Sequence, residues 1–172
     1  MLANIASAGP ELAAQVAEVP GALATLVVAL AAGSNGATPK LQATAANCAE
    51  ALAHISCSGP ELARRVAEVP GALATLVAAL SAGSAGATPG LHDTAASSCR
   101  ALRCAAEAGV EFVRRVTEVP HALRALLAAV RAGGPGAAPS LQDAAANSAL
   151  VLAHIALAGP EHVRHVAEVP GV

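Results

Sequence analysis

The sequence predicts an all-α solenoid of about three and a half units, each of 50 residues and three helices, and three observations predict it. First, "GPEL" begins at Gly9 and again at Gly59, "GVEF" at Gly109 and "GPEH" at Gly159, each step being 50 residues (59 − 9, 109 − 59, 159 − 109). "EVPGALATLV" at 18–27 returns unchanged at 68–77, then as "EVPHALRALL" at 118–127. Self-similarity at one fixed period marks units that stack to bury their apolar faces against each other. Second, the chain is 55% hydrophobic yet holds one aromatic, Phe112, so much of its apolar character is alanine. Alanine is the strongest helix former, and a core of Leu, Val and Ile beneath Ala lets helices approach closely. Third, glycine and proline fall at the same phase of every unit, where they punctuate helices. The units are 9–58, 59–108 and 109–158, with partial units at 1–8 and 159–172, forming a single array over 1–172.

Each element has its own signals. Gly9, Gly59, Gly109 and Gly159 are expected in the left-handed conformation that ends a helix. Pro10, Pro60 and Pro160 then take a first helical position, where a missing N–H costs nothing, and Glu11, Glu61, Glu111 and Glu161 follow in the first turn. The first helix is short, with Leu12, Val16 and Val19 at helical spacing before Pro20 stops it. A second helix carries Leu23, Leu26, Val27 and Leu30 on one face. The loops "GSNGATPK", "GSAGATPG" and "GGPGAAPS" follow, and a third helix opens at Pro39, Pro89 or Pro139. Its stripe of Leu41, Ala45, Cys48, Leu52 and Ile55 keeps the helical period for over four turns.

Composition excludes several classes of function. Net charge is −2, with Lys40 the single lysine beside nine arginines, and there is no basic face with stacking aromatics for nucleic acid. Mean hydropathy is +0.55, but the longest apolar run, "GALATLVVALAA" at 21–32, is too short for a bilayer span, so no membrane span is expected. Cys48, Cys57, Cys99 and Cys104 show neither a CxxC pair nor the spacing of a disulfide framework. They are expected as small buried hydrophobes kept reduced, which places the chain inside the cell, in cytoplasm or nucleus.

"GALATLVVAL" followed by "AANCAEALAHIS" resembles the armadillo repeat, whose second helix reads roughly G-A-L-P-x-L-V-x-L-L and whose third ends roughly A-x-W-A-L-x-N-I-A. Gly21, Ala22, Leu23, Leu26, Val27 and Leu30 match, as do Ala49, Ala51, Leu52 and Ile55, and the likeness recurs in every unit. HEAT repeats, the nearest rival, lack the short first helix and its proline–glycine break. The chain departs from the armadillo pattern in its longer loop between second and third helices. Ala24, Ala74 and Arg124 stand where that family often has proline, and Glu50, Arg100 and Leu150 stand at its tryptophan position. The resemblance implies a right-handed superhelix whose third helices line a concave groove. It also implies that Asn4, His54, Cys104 and His154, at the position of the family's asparagine, face an extended peptide.

Helical spacing supports such a face independently. Asn47, Glu50 and His54 are separated by three and four residues, opposite the Leu52 stripe, as are Ser97, Arg100 and Cys104, and Asn147, Leu150 and His154. Asp93 and Asp143 extend the face by one turn. Interface hot spots favour Trp, Tyr and Arg, so this mixed, small-residue face predicts a weak or polar groove.

Other constellations carry less. His162 and His165 are three apart on a helix but lack a third ligand, so a surface pair is expected and no metal. Cys99 with His92 and Asp93 lies on consecutive turns of one helix, without a pocket or oxyanion donors. The pairs Arg64–Arg65 and Arg114–Arg115 sit late in first helices, where cations suit the helix dipole. The glycine loops lack the lysine–serine pair of a phosphate cradle. The expectation is therefore a non-enzymatic scaffold without cofactor that binds a protein or peptide. The alternative is a structural segment of a larger helical-repeat protein with no ligand of its own. "MLANIASAG" at the start and "EVPGV" at the end read as parts of helices, so a fragment of a longer array, able to self-associate end to end, is expected.

Overall fold

The computed structural model describes residues 9–33, 36–84 and 86–159. Asn4, Pro160, His162, His165 and both terminal partial units therefore lie outside the described residues, apart from Gly159. All regular elements among the described residues are helices, three to the unit. They are α1 (Pro10–Glu18), α2 (Ala22–Ala31), α3 (Pro39–Cys57), α4 (Pro60–Glu68), α5 (Ala72–Ala82), α6 (Pro89–Glu107), α7 (Val110–Glu118), α8 (Ala122–Ala132) and α9 (Pro139–Ala158). The all-α expectation holds.

Proline sets the corners. The residue before a proline is pushed from helical to extended backbone, and Val19 and Val69 are extended at the ends of α1 and α4. The chain consequently turns by 93° between α1 and α2 and by 90° between α4 and α5. Left-handed residues lie at these corners, at Gly21 (φ 77), Gly71 (φ 78) and His121 (φ 65), and also in the loops before the third helices, at Gly36, Gly86 and Gly136. That corrects the expectation for Gly9, Gly59, Gly109 and Gly159. Their φ is positive but near 150, with ψ near 160, an opened-out backbone that precedes the first helix at Gly9, Gly59 and Gly109 and ends α9 at Gly159.

His121 has side-chain bulk where the other units have glycine, and an L-residue in this conformation costs about 1–2 kcal/mol. A Cβ at Gly21 or Gly71 would meet nothing within 4 Å, so at those corners the cost is one of backbone only. His121→Gly is expected to stabilise the array by about 0.5–1 kcal/mol, once the extra freedom of glycine in the unfolded chain is subtracted. Urea unfolding would show it as a raised midpoint with unchanged slope. A lowered midpoint would mean that the imidazole contributes more than its backbone costs.

The three long helices α3, α6 and α9 stack in sequence, and the shorter helices pack against them. Leu52, Ile55, Leu76, Leu102, Val116, Leu126, Val151 and Ile155 are the large fully buried hydrophobic side chains among the described residues. Between them Ala45, Ala49, Ala51, Ala53, Ala95 and Ala101 are buried, which permits the close approach that alanine composition predicts. α9 is 20 residues with mean hydropathy 1.2, long and apolar enough to cross a membrane by length and composition. The expectation of no span looked at the run 21–32, whereas the apolar residues of α9 are interspersed with Gln142, Asn147 and His154.

Arginine joins the units. The last four carbonyls of a helix have no partner within it. Arg65 of α4 donates to the Ala17 carbonyl in the last turn of α1 (2.6 Å), and Arg115 of α7 donates to the Ala67 carbonyl of α4 (2.9 Å). The second arginine of each pair thus caps the preceding unit's helix, beyond any effect on its own dipole. The first arginine stays within its helix, Arg64 pairing with Glu61 and Glu68 and Arg114 with Glu111 and Glu118. Arg65→Ala and Arg115→Ala are each expected to lower stability by about 1.5–3 kcal/mol, the range for hydrogen bonds from a charged group. Arg64→Ala, at an exposed site, is expected to cost clearly less in the same denaturation experiment. Equal losses at Arg64 and Arg65 would remove the capping role.

Candidate functional site

The candidate residues lie on α3, α6 and α9, and their arrangement depends on how these helices meet. Side chains that meet across successive units are not 50 residues apart. Gln42 accepts from Thr88 (46 apart), Asp93 accepts from Ser140 (47 apart), and Cys99 bonds Ser148 at 3.0 Å (49 apart). Close packing sets neighbouring third helices one to four residues out of phase with the repeat. A shift of three residues is about 4.5 Å along a helix. Equivalent positions such as 54, 104 and 154 therefore do not lie directly opposite one another.

Cysteine chemistry follows this offset. Cys57 and Cys104, 47 residues apart, form a disulfide between the ends of α3 and α6. The expectation of four reduced cysteines is corrected, and with it goes the argument for a reducing compartment that rested on cysteine spacing. Cys104 is also withdrawn from the candidate groove, since it is 6% exposed and its sulfur is bonded to Cys57. Spacing within one helix placed it beside Ser97 and Arg100, but the partner helix covers the end of that row. Cys48 and Cys99 are free thiols. Burial pushes the Cys99 thiol up to about 12, only partly offset by its bond to Ser148, so it stays protonated and is no nucleophile.

The other candidates sit on the solvent side of the third helices. Asn47 and Glu50 are exposed on α3, and Glu50 lies 3.6 Å from the part-exposed His54 imidazole, one turn on. On α6 Ser97 and Arg100 are half-buried. On α9 Asn147 and His154 are half-buried and Leu150 is 46% exposed. Across the α6–α9 junction, Ala96, Ser97 and Arg100 face Asp143 and Asn147 around a pocket of 280 Å³. The Asn147 side chain donates to the Asp143 backbone carbonyl at 2.8 Å, which leaves the Asp143 carboxylate to the pocket. Arg100 has its Nε enclosed with no acceptor. An enclosed donor without a partner is costly and unusual in a folded protein.

Two hollows escaped sequence reasoning. An apolar cleft of 290 Å³ lies between α2, α5 and the start of α6, lined by Leu30, Ala31, Ala78, Ala79 and Leu91. A wider one of 640 Å³ lies beside α5 and the corner at Pro120 and His121. Their signal in the sequence is the run of alanines on second helices, which reads equally as close packing. Among the described residues no group of three His, Cys, Asp or Glu could hold a metal ion. No protein-family model matches the chain, and no curated protein matches it at a significant level.

Proposed function

We propose that this chain is a right-handed, armadillo-like solenoid acting as a protein-interaction scaffold, with an extended segment of a partner lying across its third helices. The observation that carries the reading is the polar pocket at the α6–α9 junction, set within a row of solvent-facing side chains on a rigid stack. Stacked helices offer such a row without reorganisation, which favours binding. The small and polar side chains along it point to modest affinity, since aromatic anchors are missing from the row. The test is affinity capture with the intact chain and with a variant carrying Asn47→Ala, Glu50→Ala, Arg100→Ala, Asn147→Ala and Leu150→Ala. The variant must first show unchanged helical circular dichroism. Partners held by the parent chain and lost by the variant support the scaffold reading. Capture indifferent to the face, or none with either chain, replaces it with a purely structural segment.

A further inference from the structure

We infer that the α6–α9 pocket is a recognition site for one acidic residue of an extended peptide, an inference that rests on the scaffold reading above. The argument begins with what the pocket rejects. Arg100 lines it on α6 and Asp143 on α9, yet no ion pair joins them within the 4.0 Å that defines one. A bare cation would meet the guanidinium and a bare anion would meet the carboxylate, so neither fits alone. The complementary ligand carries a carboxylate for Arg100 and an N–H donor for Asp143. A glutamate or aspartate residue within a peptide has both, its side-chain carboxylate and a backbone N–H. Arg pairs with carboxylates through two parallel hydrogen bonds, a geometry that lysine cannot reproduce.

Size and surroundings agree. The volume of 280 Å³ falls below the roughly 300–1,000 Å³ of drug-sized ligand sites, and suits a single side chain with adjoining backbone. Ser97 and Asn147 add a hydroxyl and an amide at the rim, either of which can donate to or accept from a passing peptide bond. One turn beyond Asn147 on α9, Leu150 is 46% exposed and offers an apolar seat for a neighbouring side chain. The site is specific to this junction. At the α3–α6 junction the corresponding positions are Ala46, Asn47, Glu50, Asp93 and Ser97, with a carboxylate in place of the guanidinium. An acidic side chain is therefore accepted at one step of the array and repelled at the other.

The experiment is a titration of the ¹⁵N-labelled full chain, oxidised, with the blocked pentapeptide acetyl-Ala-Ala-Glu-Ala-Ala-amide, its Gln counterpart and free glutamate. The expected result is saturable shifts of the Arg100 Nε–Hε and Asn147 side-chain amide signals, with at least tenfold weaker binding of the Gln peptide and of free glutamate. Arg100→Gln is expected to abolish the preference for Glu over Gln. Asp143→Ala is expected to weaken both peptides while keeping that preference, and it serves as the independent variant should Arg100→Gln unfold. Equal affinity for the Glu and Gln peptides, or shifts confined to other residues, overturns the site. Free glutamate binding as tightly as the peptide overturns the peptide as its ligand. Partner capture that persists in Arg100→Gln, together with no Glu preference in the parent chain, removes this site and leaves the scaffold reading standing.

Discussion

Gly83→Ala is expected to destabilise the array by about 3 kcal/mol or more, the upper end of the cost of overfilling a packed site. Gly83 follows α5 and lies against the first turns of α6. A Cβ there would sit 2.3 Å from the Ala95 Cβ and 2.5 Å from the Leu91 carbonyl oxygen. Neither neighbour is the movable end of a side chain, since both are fixed to the α6 backbone. The same approach recurs at Gly33, 2.1 Å from the Ala45 Cβ, and at Gly133, 2.2 Å from the Ala145 Cβ. The glycine is therefore required by the close approach of two helices, and the substitution has to push α5 and α6 apart. Gly90→Ala is the control of opposite sign. Gly90 lies inside α6, where an added Cβ meets only the Gln42 Cβ at 3.8 Å. A better helix former there is expected to stabilise by about 0.5–1 kcal/mol. Urea denaturation followed by circular dichroism would read both. A Gly83→Ala protein as stable as its parent would show that the loop, and not the helix approach, selects glycine at this phase.

Loss of the disulfide is the second large effect expected. Cross-linking residues 47 apart removes unfolded-chain entropy worth about 4 kcal/mol in the loop-closure treatment, and measured bridges typically give about 2–4. Cys57→Ser is the cleaner variant, because Cys57 is exposed whereas a hydroxyl at Cys104 would be buried. Its unfolding free energy is expected to fall by about 2–4 kcal/mol, and a reducing agent should lower the parent similarly but leave the variant unchanged. Alkylation under denaturing, non-reducing conditions should modify Cys48 and Cys99 alone. Four modified cysteines would show that the bridge does not form in solution.

These two sites also show what could be read without coordinates. The helices were legible because each is bounded by a local signal, as Pro39 and Gly59 bound the third helix and its successor. Ala45, Leu52 and Ile55 were legible as core because helical spacing puts them on one face, whereas Leu41 of the same stripe is 44% exposed and Cys48 half-buried. The exposure of Asn47, Glu50 and Leu150 followed from the same spacing. The sideways offset between third helices was not legible, because it depends on how two helical surfaces interlock, and the repeat itself suggests neighbours at 50 residues. What hangs on that offset was missed for this reason: the Cys57–Cys104 bridge, the burial of Cys104 and the pocket that Arg100 and Asp143 line together. Arg65 and Arg115 were read from their own helices, and their acceptors lie 48 residues upstream.

That six bonds between units among the described residues span 46 to 49 residues also says how such a chain can change over generations. A duplication or deletion of one whole 50-residue block carries each donor and acceptor along with its register, and the new junction finds the same kinds of partners. An insertion of a few residues within a helix shifts everything after it out of reach of the previous unit. Inherited changes in length are thus channelled into whole units. Novelty such as the Arg100 pocket or the disulfide then arises by point substitution in one copy, while its neighbours keep the stack intact.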